Sequence, residues 1–257
     1  RLFIRVDTTP AHKATQIIQF LPIRVHQQTG NTLHQLSHPM QTYSHYILTA
    51  YLNRKRKQKE ATATPEQQEA MTLPAVASKA FLFGSIIPDL MLIAISAIVI
   101  GFNLMVNTQE VARENIGYFF DISYFQDWRI IAAHSLFHGP LVILAIFAIG
   151  WWGYKNQRPW ANILIWFALG AGLHSFIDIL THYDDGPVLF FPFNWTYRFS
   201  SPVSYWDPNH YGNIFAPAEH ILDLALIIYL VSDWWRQRKK NRSAAEIISD
   251  TAEQSTI

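Results

Sequence analysis

Four apolar blocks of membrane-spanning length constrain this chain more than any other feature. They cover residues 90–106, 130–152, 160–181 and 214–235, and a helix that crosses a bilayer needs about 20 apolar residues. The first, LMLIAISAIVIGFNLMV, reaches a comfortable length only if the preceding FLFGSIIPD belongs to it. The fold class that follows is an all-α integral membrane bundle of about four transmembrane helices. Around His45 the ten residues YSHYILTAYL are too short to span, so they read as a short N-terminal amphipathic or re-entrant helix. Composition agrees with a membrane protein: half of the 257 residues are hydrophobic and 15% are charged, against a usual charged share of about 25%.

Lysine and arginine are distributed unequally between the connecting segments, and that asymmetry sets orientation. Beyond residue 39, thirteen (Arg54, Lys55, Arg56, Lys57, Lys59, Lys79, Lys155, Arg158, Arg236, Arg238, Lys239, Lys240 and Arg242) fall before the first block, between the second and third, or after the fourth. The two alternate loops carry only three, Arg113, Arg129 and Arg198. The bias predicts both termini in the cytoplasm. Residues 1–39 lack an initiating Met and read as a disordered or non-native extension, with a natural start at Met40. Residues 40–240 form the membrane-embedded domain. The polar run RKRKQKEATATPEQQEAMTLP reads as a linker, and 241–257 as a disordered tail. A net charge of +1 without a basic stripe excludes nucleic acid as a partner, and membrane lipids are the expected surroundings. There is no cysteine, so any metal must be held by histidine, carboxylate or other oxygen ligands.

Polar residues inside the apolar blocks carry the functional argument. His134 and His138, His174 and Asp178, and Glu219 and Asp223 are each four residues apart, so each pair projects from one helical face. In the expected topology all three pairs lie toward the outer side. An ionised acid inside a spanning helix costs about 2.5–3.5 kcal/mol. Asp89, Asp178, Glu219 and Asp223 unpaired would therefore cost on the order of 10 kcal/mol, which rivals the about 5–15 kcal/mol stability of a whole fold. These groups must be paired, hydrated or bound to a cation, and histidines flanking carboxylates form a ligand set for zinc and related divalent ions. Each feature also has a plainer reading. A His–Asp pair can be a hydrogen bond in a bundle core, Glu219 and Asp223 can face interfacial water, and His182, Asp184 and Asp185 can belong to a solvated loop.

The motifs HYILTA, GSIIPD, HSLFHG and GAGLHSFIDILTHYDDGPVLFFP, in that order, resemble the membrane-bound metal-dependent hydrolases, a family that includes LexA-regulated bacterial inner-membrane proteins. The most specific element is G-x3-H-x3-D-x2-T, carried here by Gly170, His174, Asp178 and Thr181. The resemblance implies a helical enzyme of the bacterial inner membrane with a divalent metal, zinc by preference, and ligand positions His45, Asp89, His134, His174 and Asp178. His138 is added as a compensating ligand because the His-Arg that the family places before His-Ser is missing from RIIAAHS. A more distant similarity to zinc-dependent phospholipase C implies a phosphoester or lipid substrate.

The expected chemistry is hydrolysis by metal-activated water, with Glu219 as general base. The aromatic loop FPFNWTYRFSSPVSYWDPNHYG would line a lipid-facing cleft, with Arg198 near an anionic head group. Two other classes fit the same residues: a metal-ion or proton-coupled transporter, since ionisable residues in a membrane also mark transport paths, and an inactive scaffold stabilised by metal. Asp89 poses a topological problem, because it falls toward the cytoplasmic end of its helix. Either that helix begins near Lys79 and is broken at Pro88, or Asp89 is not a ligand.

Overall fold

A computed structural model of the chain describes residues 42–254, with side chains as far as Ser243. The expectations for residues 1–39 and for a start at Met40 lie outside the described residues. The helices are α1 (Thr42–Thr62), α2 (Pro65–Glu69), α3 (Ser78–Gly84), α4 (Ile87–Val106), α5 (Gln109–Tyr118), α6 (Trp128–His138), α7 (Pro140–Lys155), α8 (Ala161–Thr181) and α9 (Gly212–Gln254). Short helical turns at Phe119–Ser123, Tyr124–Gln126 and Pro208–His210 join them. Among the described residues there is no β-strand, only an isolated bridge between Val188 and Arg198.

Helices α4, α8 and the Gly212–Ser243 part of α9 are long and apolar enough to cross a membrane. The second apolar block is not one straight helix: α6 and α7 are bent by 43° and are long and apolar enough for a fourth span only when taken together. The break is written in His138-Gly139-Pro140. Pro140 cannot continue α6 but is suited to begin a helix, and it pushes Gly139 into an extended conformation with ψ of 123°. Large apolar side chains such as Ile98, Leu104 and Met105 of α4 and Ile221 and Ile228 of α9 are exposed. Exposed apolar helix surface of this extent suits lipid rather than water. Helix α8 is the centre of the bundle, with 44% of its apolar window buried against 6% for α9.

Glycine brings α3 onto α8. A Cβ at Gly84 would collide with the Phe167 carbonyl, and one at Gly170 with the Phe81 carbonyl, so the two backbones touch, as small residues allow between membrane helices. The helices are parallel. The Ala75 carbonyl before α3 accepts from Asn162 and Trp166 at the start of α8, and the Ser85 carbonyl after α3 meets His174 a few turns further along. This arrangement resolves the Asp89 problem. The chain enters beside α8 as α3, breaks at Ser85 and Ile86, and restarts as α4 with Asp89 in its first turn.

The N-terminal helix is longer than the expected short segment: α1 has 21 residues and continues through RKRKQKEAT, which the sequence reading assigns to the linker. It is held along α9, where Ser44 donates to Asp223, Tyr51 packs edge-on against Tyr229, and Arg54 pairs with Asp233. The backbone of α9 also stays helical to Gln254, through residues 241–254 that read as a tail. That stretch has no Pro or Gly, and its three Ala, two Glu, Arg242 and Gln254 are good helix formers.

Candidate metal centre

Four elements converge on one buried point. The last turns of α8 bring His174 and Asp178, the end of α6 brings His138, the first turn of α4 brings Asp89, and the first turn of α1 brings His45. All five are at most 4% exposed. One ligand atom from each of Asp89, His138, His174 and Asp178 lies within 4.8 Å of the other three. His138 Nε2 is 2.6 Å and His174 Nε2 is 3.1 Å from Asp178 Oδ2, and His174 Nε2 is 3.3 Å from Asp89 Oδ1.

The partners of the outer ring nitrogens decide what this group can bind. His174 Nδ1 is 2.8 Å from the Ser85 carbonyl, an acceptor, so Nδ1 carries the proton and a neutral ring turns the Nε2 lone pair inward. His174 Nε2 and Asp89 Oδ1 have no hydrogen-bond partner although they are 3.3 Å apart, and Asp178 Oδ1, on the His45 side of its carboxylate, has none either. Buried lone pairs facing one another are unfavourable without a positive charge between them. The remaining contacts orient the ligands as the outer partners of metal sites do. Thr42 Oγ1 donates to Asp89 Oδ2 at 2.6 Å, His134 Nε2 is 2.8 Å from His138 Nδ1, and the Ser175 hydroxyl donates to the His138 carbonyl at 2.7 Å. The donor set, two imidazoles and two carboxylates, fits a divalent cation.

The other residues singled out from sequence fall around this group. His45 stacks on His174 with ring centroids 3.9 Å apart, and its Nε2 is 2.9 Å from Asp178 Oδ1. His134 stands behind His138 and is not one of the four converging ligands. Glu219 is half-buried beside Ser44 and Tyr205, outside the four, while its helical partner Asp223 accepts from Ser44 at 2.6 Å. Arg198, expected near a head group, is half-buried. Its guanidinium donates to the Gly186 carbonyl and lies over the rings of Tyr124 and Phe125, bracing the loop after α8.

His182 is the residue that the loop reading misses. It is buried, with Nδ1 2.9 Å from Asp185 Oδ1 and Nε2 3.8 Å from Asp178 Oδ1. Burial opposes its charging, yet the Asp185 and Asp178 carboxylates hold its pKa up to about 9, so the position favours positive charge at Nε2, whether a proton or a metal ion carries it. Burial likewise works against the Asp185 carboxylate, but His182 keeps it below the usual range. The signal was present in the sequence, since His174, Asp178 and His182 recur every fourth residue.

The sequence model described as YdjM inner membrane protein matches residues 40–247. No curated protein and no solved structure matches the chain.

Proposed function

The chain belongs to the YdjM inner membrane protein family, and from that membership and the buried His/Asp group we propose a membrane-embedded, metal-dependent hydrolase acting on a phosphoester or lipid substrate. The observation that carries the reading is the pair of unpartnered atoms His174 Nε2 and Asp89 Oδ1, 3.3 Å apart beside Asp178 Oδ2, with His174 fixed by the Ser85 carbonyl behind it. Asp89, His138, His174 and Asp178 hold the ion. Bound there, a divalent ion, with zinc the best match to the nitrogen and oxygen donors, supplies Lewis acidity toward the scissile group and lowers the pKa of water.

The chain's own residues supply the rest. His134 fixes the His138 tautomer through the Nδ1 contact, and Thr42 turns Asp89 toward the group. Glu219, half-buried one turn before Asp223, is the proton acceptor. Basic residues gather at the end away from the group: Arg54–Lys59 on α1, Lys155 and Arg158 at the α7–α8 turn, and Arg236–Lys240 on α9. That end faces the cytoplasm under the positive-inside rule, and the metal group lies nearer the other side.

The test is chelator-sensitive hydrolysis by the purified chain over a panel of phosphoesters and phospholipids, repeated with Asp178→Asn. Turnover that needs the metal and disappears in the variant is expected; a chain that binds no divalent metal contradicts the reading. Because cysteine is absent, single-cysteine labelling of intact cells checks orientation. Asn209→Cys should react with an impermeant reagent and Gln237→Cys should not.

A further inference from the structure

Each oxygen of the Asp178 carboxylate is flanked by two imidazole nitrogens. Oδ2 has His138 Nε2 at 2.6 Å and His174 Nε2 at 3.1 Å, and Oδ1 has His45 Nε2 at 2.9 Å and His182 Nε2 at 3.8 Å. We propose that Asp178 bridges two divalent cations, the first held with Asp89, His138 and His174 and the second with His45 and His182. The inference rests on the metal-centre reading above and extends it to a second ion.

Three observations support the second position. Asp178 Oδ1 has no hydrogen-bond partner, although its side chain is 2% exposed and His45 Nε2 is within contact distance. A histidine placed only to neutralise that oxygen would aim an N–H at it; here the pair touches without hydrogen-bond geometry, as two ligands of one ion do. His182 is also built as a metal-binding histidine is. Its Nδ1 contacts Asp185 Oδ1, and Asp185 Oδ2 accepts from Trp206 Nε1 at 3.3 Å. This chain of carboxylate and imidazole fixes the tautomer with the Nε2 lone pair toward Asp178. Finally, α1 is pinned where it delivers His45, with Thr42 bonded to Asp89 and Ser44 to Asp223, each at 2.6 Å.

The two positions differ in kind. The first has four protein ligands, so water joins an ion there only as a fifth ligand. The second has three, His45, His182 and one oxygen of Asp178, and three protein ligands leave a coordination position for water or a phosphoryl oxygen. The second position is therefore where substrate binds, and a shared pair of ions suits a phosphoester, whose attacking and leaving oxygens both gain charge.

Metal stoichiometry tests this on the full-length chain in detergent, stripped and reloaded with Zn2+, then with Mn2+ for electron paramagnetic resonance. Two equivalents of Zn2+ per chain are expected, falling to one in His45→Gln and in His182→Gln. The di-Mn2+ form should show the exchange-coupled spectrum of a carboxylate-bridged pair. Asp185→Asn leaves every ligand in place and should weaken only the second equivalent, by about 10–100-fold. One equivalent in the wild type, with an uncoupled spectrum and no response to His182→Gln or Asp185→Asn, overturns the second site and leaves the first intact. No bound metal at all overturns the reading of the centre itself. The wild-type spectrum decides between one ion and two even where a histidine variant does not fold.

Discussion

Helix α1 meets the rest of the bundle through a carboxylate at each end, and the two are treated differently. Toward the basic end Asp233 accepts from Arg54, from Gln58 at 3.1 Å and from Gln237 at 2.8 Å, so both of its oxygens are used. At the other end Asp178 is more deeply buried, faces imidazoles rather than guanidinium or amide donors, and keeps Oδ1 without a hydrogen bond. Both are acids within helices of spanning length, and each is costly there if left alone. Asp233 is neutralised by the chain itself, which marks a structural contact between α1 and α9. Asp178 belongs instead to a buried group of carboxylates and imidazoles that could hold a metal ion.

Removing ligands should break this contrast most severely. His138→Ala combined with His174→Ala should abolish metal binding and any hydrolysis, measured by elemental analysis and turnover, while the equivalent Arg54→Ala with Gln58→Ala should leave metal content unchanged. The next largest effect is expected at a residue that touches no ligand. Gly170→Val would drive a side chain into the Phe81 carbonyl and separate α3 from α8, withdrawing Ser85 from His174. Overpacking of this kind costs about 1–3 kcal/mol, so both thermal stability in detergent and metal occupancy should fall.

A weaker and more selective effect is expected at His134. His134→Gln should reduce metal affinity by about 10–100-fold without abolishing it, because it changes the partner of a ligand and not the ligand; competition with a metal chelator reads this out. Least of all should happen to the metal when Asp233 is changed. Asp233→Asn should cost about 1–3 kcal/mol of stability through the partners it leaves, visible as a lower Tm at unchanged metal content.

Hydropathy and spacing made part of this legible. Uninterrupted apolar length located the spans, and fourfold spacing placed His174 with Asp178 and His134 with His138 on common faces. Spacing could not tell which histidine of the second pair faces the centre, because that depends on how α6 rolls against α8. Asp89 depended on the break at Ser85 and Ile86, which rests on backbone contact between Gly84 and Gly170 in helices far apart in the chain. His45 depended on α1 lying along α9, through pairs such as Ser44 and Asp223 that are separated by 179 positions. His182 was obscured because it follows the last apolar residues of α8 and stands next to two aspartates, a composition typical of loops. What buries it is the fold of the chain after α8, where Tyr205 returns to cover its ring with centroids 5.3 Å apart.

The central claim is that Asp178 belongs to a metal centre and Asp233 does not. Elemental analysis of the wild type, Asp178→Asn and Asp233→Asn, purified identically and dialysed against metal-free buffer, tests it most directly. The account predicts stoichiometric divalent metal in the wild type and in Asp233→Asn, and none in Asp178→Asn. Equal metal content in the two variants, or none in the wild type, would contradict it.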